Sequence, residues 1–244
     1  MKNYKKELHL FDLVKVNILS LVLFAVFFVV GLAINLFATG NSQIFSIAVW
    51  LDILISVIIV IVGVIAHESI HAIGGIVFGK CKKTDIKFGV KLKEGVFYCH
   101  IDKELTVKAY RIMLILPVII TGIIPYIFSV MFGSVMLVAV FSILIAGGAG
   151  DTIMFLDLLK KDKNSLVIDH PDFVAYYLLY DENNIPSDFV EATEENEKAM
   201  LEENAQRHAQ KQSKSNGIKL ILIVLFLVLI VAGLFVTAKF MTKI

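Results

Sequence analysis

With 244 residues, the chain is long enough for one large domain or two modest ones. Hydrophobic residues make up 57% of it and the mean hydropathy is +0.79, which excludes an ordinary soluble or disordered protein. The formal net charge of +1 offers no overall attraction for nucleic acid, so we expect no such partner. The apolar residues form long uninterrupted blocks, a pattern typical of membrane spans.

The first two blocks predict two transmembrane helices joined by a short neutral loop. Span one covers about residues 14–37, and span two runs from about Ile44 to Phe78. At about 1.5 Å per residue, the second helix is longer than a hydrocarbon core of about 30 Å, so it must tilt or project. The block after the basic N-terminus is too long for a signal peptide, and we expect it to be retained.

Residues 84–102 are predicted to form an amphipathic β-hairpin that lies against the membrane or the helices. Apolar side chains alternate with lysine or glycine over residues 86–92, which is the period of a strand. Glu94-Gly95 is a plausible two-residue turn. The pairs that this turn predicts are Leu92 with Phe97, Val90 with Cys99, Phe88 with Ile101 and, on the other surface, Lys87 with Asp102.

The rest of the chain predicts three more spans and a polar segment. Residues 112–132 contain two prolines, so this span should be kinked. Residues 135–159 form the fourth span and carry a run of small residues that ends at Asp151. The polar stretch 160–216, largely acidic between residues 181 and 203, is expected to form a solvated helix with no packed core of its own. Residues 218–238 are the last span.

The distribution of lysine and arginine predicts the orientation of the spans. These residues precede span one, fill the hairpin region and follow span four, whereas the loops near Asn41 and Gly133 have none. The N-terminus, the hairpin and the acidic segment are therefore expected in the cytoplasm, where Cys81 and Cys99 would stay reduced as free thiols. The sequence predicts a multi-pass cell-membrane protein, all-α with about five transmembrane helices and a small cytoplasmic β-hairpin.

The end of span two carries the pattern H-E-x-x-H at residues His67 to His71. On a helix, this spacing stacks His67 and His71 on one face, where they can bind one Zn²⁺. Glu68 projects beside that face, where it can take a proton from a water molecule activated by the metal and pass it to the leaving amine. Polar residues within a span are costly unless they serve a function, and the chain stays apolar as far as Phe78. We therefore interpret the motif as a metal site.

A catalytic zinc site needs a third protein ligand, and Asp151 is predicted to supply it. His71 lies nine residues before Lys80, and Asp151 lies nine before Lys160. Both helices run toward the cytoplasm, so each group should sit about 14 Å from its basic end. The small residues before Asp151 would let the two helices approach closely. Alternatively, Asp151 pairs with a lysine or caps a helix irregularity.

Other acids and histidines fit the site less well. Asp157 falls at the predicted headgroup level, and Asp52 falls near the outer face of the membrane. His100 is predicted to lie on the polar surface of the hairpin. Residues 169–172 could fold back toward the site, so they remain an alternative contributor.

The chain resembles the putative zincin peptidase family of bacterial membrane proteins. Three features carry the resemblance: a span with His67-Glu68-Ser69-Ile70-His71, a hairpin after it and a later helix with Gly150-Asp151. More distantly, they are similar to site-2 protease-type intramembrane metalloproteases. The resemblance covers about residues 44–172. It implies that the two histidines and the later acid bind zinc and that Glu68 is the catalytic base.

The resulting hypothesis is a zinc metallopeptidase that cleaves a membrane protein or peptide in or near the bilayer. The alternatives are a membrane zinc hydrolase with a non-peptide substrate, and a non-enzymatic regulatory or export component with a vestigial metal site. The predicted organisation is a first transmembrane helix and loop (1–43), a zincin-like membrane peptidase core (44–180), an acidic cytoplasmic linker helix (181–217) and a C-terminal transmembrane helix (218–244). Substrate and oligomeric state do not follow from the sequence.

Overall fold

The computed structural model describes residues 4–40, 48–91, 96–171, 173–182, 185–187 and 189–207. The predicted last span, the hairpin turn at Glu94-Gly95 and Asp172 lie outside the described residues. Of the predicted acidic linker helix, residues 194–207 are helical. The domain boundaries proposed from the sequence remain predictions.

Two long apolar helices begin the fold. Helix α1 (Leu13–Thr39) starts at Asp12, whose side chain accepts a hydrogen bond from the backbone N–H of Val14 at 2.8 Å. It ends at Gly40, which has a φ of 68° that favours glycine. Helix α2 (Val49–Gly79) has 31 residues and carries the H-E-x-x-H motif in its second half. Both helices are long and apolar enough to cross a membrane.

The third and fourth predicted spans are each interrupted. Helix α3 (Val107–Pro117) continues through a wider π-type stretch (Val118–Ile123) into α4 (Ile124–Met131), so the irregularity expected near Pro117 is a local widening of the helix. Helices α5 (Val135–Gly147) and α6 (Ala149–Leu158) meet at a bend of 48°. Among the described residues, three helices could cross a membrane, or four if α5 and α6 count as one span.

The predicted hairpin is present, but its predicted register is wrong. Strands β2 (Ile86–Lys91) and β3 (Val96–Ile101) pair so that Phe88 lies opposite Cys99 and Val90 lies opposite Phe97. The four residues 92–95 separate the strands, instead of a two-residue turn. Because the shift is by an even number of residues, every side chain keeps its predicted face.

The predicted contact between Lys87 and Asp102 survives the shift in register. The two side chains form an exposed ion pair at 2.8 Å, now diagonal across the strands. The Lys87 ammonium lowers the pKa of Asp102 from its ordinary value by a hydrogen bond and by its charge. At this exposure, such a pair contributes little to stability.

A four-stranded antiparallel sheet was not predicted. It consists of β1 (Tyr4–Leu10), β4 (Leu105–Thr106), β5 (Leu166–Asp169) and β6 (Ala175–Asp181), in the order β1-β6-β5-β4. The expectation that the stretch after residue 160 lacks a packed core is therefore wrong for β5 and β6. Their Val167, Tyr176 and Leu178 are buried because the sheet packs against α3 and α6.

The sheet gathers three distant segments at one end of the helices. Its strands come from before α1, from between α2 and α3, and from after α6. Helices that cross alternately would bring these segments to the same side, which agrees with the grouping of lysine and arginine in the sequence. The core between sheet and helices contains Ile101, Leu105, Val107, Tyr110, Met113, Leu114, Leu158, Val167, Tyr176 and Leu178.

Candidate metal centre

The two histidines of the motif lie on one face of α2. His67 and His71 are one helical turn apart, and their ring centroids are 4.9 Å from each other. Their side chains are only 12% and 8% exposed. The motif therefore faces the protein interior, although α2 as a whole is an apolar helix with large exposed side chains.

Asp151 reaches both histidines from the first turn of α6. One carboxylate oxygen lies 2.9 Å from Nε2 of His67, and the other lies 3.4 Å from Nε2 of His71. Three ligand atoms, one from each residue, lie within 4.8 Å of one another, so this group could hold a metal ion. Helices α2 and α6 thus bring together the three residues proposed from the sequence.

The small residues before Asp151 fit the close packing here. A Cβ atom at Gly148 would clash with the side chain of Val118 in the π-type stretch. Glycine at this position therefore allows the bend between α5 and α6 to lie against the neighbouring helix. The bend sets the direction in which α6 presents Asp151.

Hydrogen bonds from surrounding helices orient both imidazole rings. Nδ1 of His71 lies 3.0 Å from the carbonyl oxygen of Met113, which can only accept, so this nitrogen carries the proton and donates it. The hydroxyl of Thr121 donates to the carbonyl of Pro117 at 2.9 Å, and its oxygen lies 3.4 Å from Nδ1 of His67. Both rings are thus held with Nε2 directed at Asp151.

This arrangement fits a cation. In the structure, Nε2 of His67 is within hydrogen-bond distance of the Asp151 carboxylate at 2.9 Å, so the imidazole and the carboxylate pair with each other. When both Nε2 atoms are deprotonated, they and the carboxylate offer lone pairs to a cation placed among them. Two imidazoles and one carboxylate are a ligand set that zinc binds in catalytic sites, with one position left for water.

Glu68 lies beside His67, His71 and Asp151 and is not part of the group that could hold a metal ion. Its carboxylate is close to the backbone N–H of Cys99 in β3 and lines a cavity of about 190 Å³ between α2 and the hairpin. The position agrees with the sequence expectation that Glu68 projects next to the face that carries the histidines. Whether Glu68 acts as the base stays a prediction.

Behind β3, a buried polar cluster was missed by the sequence analysis. His100 was expected on the surface, but it is only 7% exposed, and its Nδ1 lies 3.1 Å from the carboxylate of Asp169. The hydroxyl of Tyr110 donates to the same carboxylate at 2.6 Å. Asp169 is near enough to His71 for an electrostatic interaction, so part of the 169–172 segment does return toward the site. His170 instead approaches Glu197 at 3.5 Å.

The remaining candidates lie elsewhere. Asp157 is the partner of Tyr176 and His9 at the sheet, and Asp52 lies in the first turn of α2. Cys81 and Cys99 are free thiols. Burial and the nearby charges of Glu68 and Asp169 raise the pKa of Cys99 to about 12, so this thiol is protonated at neutral pH.

Comparison with known proteins points to the same chemistry. Residues 60–166 match the family described as "Putative zincin peptidase". The matched stretch contains His67, Glu68, His71 and Asp151 as well as the hairpin. No match was found among curated proteins or among solved structures. The more distant resemblance to site-2 proteases stays a prediction. The family match supports a zincin peptidase, and with it a zinc metallopeptidase.

Proposed function

We propose that the protein is a zinc-dependent, membrane-embedded metallopeptidase that hydrolyses peptide bonds in or near the bilayer. The observation that carries this proposal is the approach of His67, His71 and Asp151 to one point from two separate helices. Such a set of buried polar groups is expensive within apolar helices, so a structural role alone does not explain it. The family match adds the reaction class.

Each residue of the site has a role in this proposal. His67, His71 and Asp151 would hold the zinc, and zinc when bound would polarise water and the substrate carbonyl. Glu68 would accept the proton of the attacking water and transfer it to the leaving nitrogen as the peptide bond breaks. The backbone N–H of Cys99 would hold the carboxylate in place between these two transfers.

The surroundings of the site support a membrane substrate. The helix that carries the motif could span a bilayer, and the hairpin beside it exposes large apolar side chains. A peptide bond can be attacked only where the backbone is extended, and a strand edge such as that of β2 can hold an extended backbone. We therefore include in the proposal that the hairpin receives an unwound segment of the substrate.

Replacing Glu68 by Gln tests the proposed base directly. The variant should keep about one zinc per chain, because Glu68 is not among the ligands, and should lose turnover, because Gln cannot accept the proton. Zinc content is measured on the purified full chain by elemental analysis, and cleavage is measured on a membrane-peptide substrate. Glu104→Gln, at an exposed carboxylate after the hairpin, is the matched control. Normal cleavage by Glu68→Gln would show that the base is assigned wrongly, and a wild-type chain without zinc would contradict the enzyme itself.

A further inference from the structure

The cavity beside Glu68 has a composition that the hydrolysis of a peptide bond does not by itself require. It lies between the second half of α2 and the hairpin, and its volume is about 190 Å³. Its walls consist of Ile65, Glu68 and Ser69 from α2, Phe88, Gly89 and Val90 from β2, and Phe97 and Tyr98 from β3. It therefore joins the motif helix directly to the hairpin.

The walls are mainly apolar, and their polar side chains are those of Glu68, Ser69 and Tyr98. The hydroxyl of Ser69 donates back to the carbonyl of Ile65 at 2.7 Å, so its proton is already used within α2. The carboxylate of Glu68 is the charged group in the lining. The cavity is thus mainly apolar, and Glu68, the residue proposed to transfer the proton, forms part of its wall.

A glycine in β2 shapes the hairpin side of this cavity. A Cβ atom at Gly89 would overlap the ring of Tyr98, its cross-strand partner. Because Gly89 has no side chain, the Tyr98 ring can lie across the strand at this position. The Tyr98 ring therefore forms part of the cavity wall, and a larger residue at position 89 would displace it.

We propose that this cavity binds one apolar side chain of a polypeptide substrate, at a residue adjacent to the bond that is cut. The inference rests on the proposed function. Pockets for whole small molecules measure about 300–1,000 Å³, so a cavity of about 190 Å³ suits a single side chain. The Glu68 carboxylate in the wall disfavours acidic side chains. Half-exposed apolar residues of the hairpin, Phe88, Val90 and Phe97, offer an entry for a segment that arrives from the bilayer.

The test uses peptides that differ at one central residue, which is Ala, Leu or Asp. Binding is measured with the full-length Glu68→Gln protein, and cleavage with the full chain that retains Glu68. We expect Leu to exceed Ala by at least about tenfold in both measurements, because added methylenes in an apolar pocket give about 10- to 200-fold discrimination. The Asp peptide should rank lowest in cleavage, which is measured with the Glu68 carboxylate present.

Two changes in the wall identify the cavity as the source of this preference. Ile65→Trp should fill it and abolish the preference for Leu, whereas Phe97→Ala should enlarge it and extend the preference to a Phe peptide. Ile65 and Phe97 are about half exposed, so both changes are compatible with folding. Val62→Trp is the matched control, since Val62 is 58% exposed on the same helix and does not line the cavity. Zinc content and the midpoint of thermal unfolding verify that each variant is intact.

The outcomes separate this inference from the proposed function. If Leu binds better than Ala and Ile65→Trp removes the difference, but no peptide is cut by zinc-loaded protein, the cavity is a side-chain site and the peptidase proposal fails. If peptides are cut but the preference is the same in the wild type, Ile65→Trp and Phe97→Ala, the cavity proposal is overturned and the peptidase proposal stands. A preference that changes equally in Val62→Trp also overturns the cavity proposal.

Discussion

The two halves of α2 have similar apolar residues but opposite surroundings. In the first half, residues 49–63, no side chain is buried, and Trp50, Leu54 and Val57 are 86%, 56% and 50% exposed. In the second half, residues 64–79, the face formed by His71, Ala72, Gly74 and Gly75 is buried against α3 and the strands. One helix therefore exposes an apolar surface along its first half and packs against protein along its second half.

This difference indicates where an apolar helix can carry polar side chains. A bilayer would accept the first half because its surface is apolar, but it would penalise the two imidazoles and the carboxylate of the second half. The second half can carry them because other chain segments supply hydrogen-bond partners, such as the carbonyl of Met113 for His71. Glycine and alanine on the same face let those segments come close.

The largest effect is expected from removing Asp151, the acid of α6 that lies next to the second half of α2. Asp151→Ala leaves two imidazoles, and we expect the variant to lose nearly all of its zinc, because a catalytic site needs three protein ligands. Asp52→Ala removes an acid from the opposite end of α2 and should retain about one zinc per chain. Elemental analysis of the two purified proteins decides the matter. Equal zinc content in both would contradict Asp151 as a ligand.

A smaller effect should follow from removing a hydrogen-bonding group next to His67, a proposed zinc ligand. Thr121→Val deletes the hydroxyl oxygen that faces Nδ1 of His67 and should weaken zinc binding by about 10- to 100-fold. Ser142→Ala is the control, because its buried hydroxyl donates only to the carbonyl of Val138 in the same helix. Competition with a chelator measures both affinities. An unchanged zinc affinity in Thr121→Val would mean that the Thr121 hydroxyl does not orient the His67 ring.

The smallest effect concerns packing alone. Gly75→Val places a side chain where Ile101 lies and should lower the free energy of unfolding by about 1–3 kcal/mol. Ile58→Val, in the exposed half of α2, should change it by less than about 0.5 kcal/mol. Denaturation of both proteins in the same detergent gives the comparison. If both variants unfold alike, the two halves of α2 are not packed differently.

The features that could be predicted from the sequence are those with a local signal. The apolar runs of α1 and α2 and the alternation in β2 each appear within a short window. Asp151 was expected near the histidines because its distance to a basic helix end matches that of His71, and the structure places it there. The register of the hairpin was missed because Gly95 marks a turn without fixing the number of residues in it.

The four-stranded sheet and its polar cluster have no comparable signal. Strand β4 has two residues and β1 has only a partial alternation, so their pairing depends on segments far along the chain. The run of tyrosine and leucine in β6 does favour a strand and was overlooked. The burial of His100 depends on Asp169, which is 69 residues away, and no local pattern indicates such a contact.

The pairing of β1 with β6 has a consequence for how the molecule is made. His9 leaves the ribosome long before Tyr176, its partner in the ladder, and helices α1 to α6 lie between them in the chain. Strand β1 can therefore pair with β6 only after α1 to α6 have been synthesised, and until then the edge of β1 that β6 covers is unpaired. Closure of this ladder comes late in biogenesis, and it joins the first part of the chain to β5 and β6, the strands that follow the helix bearing Asp151.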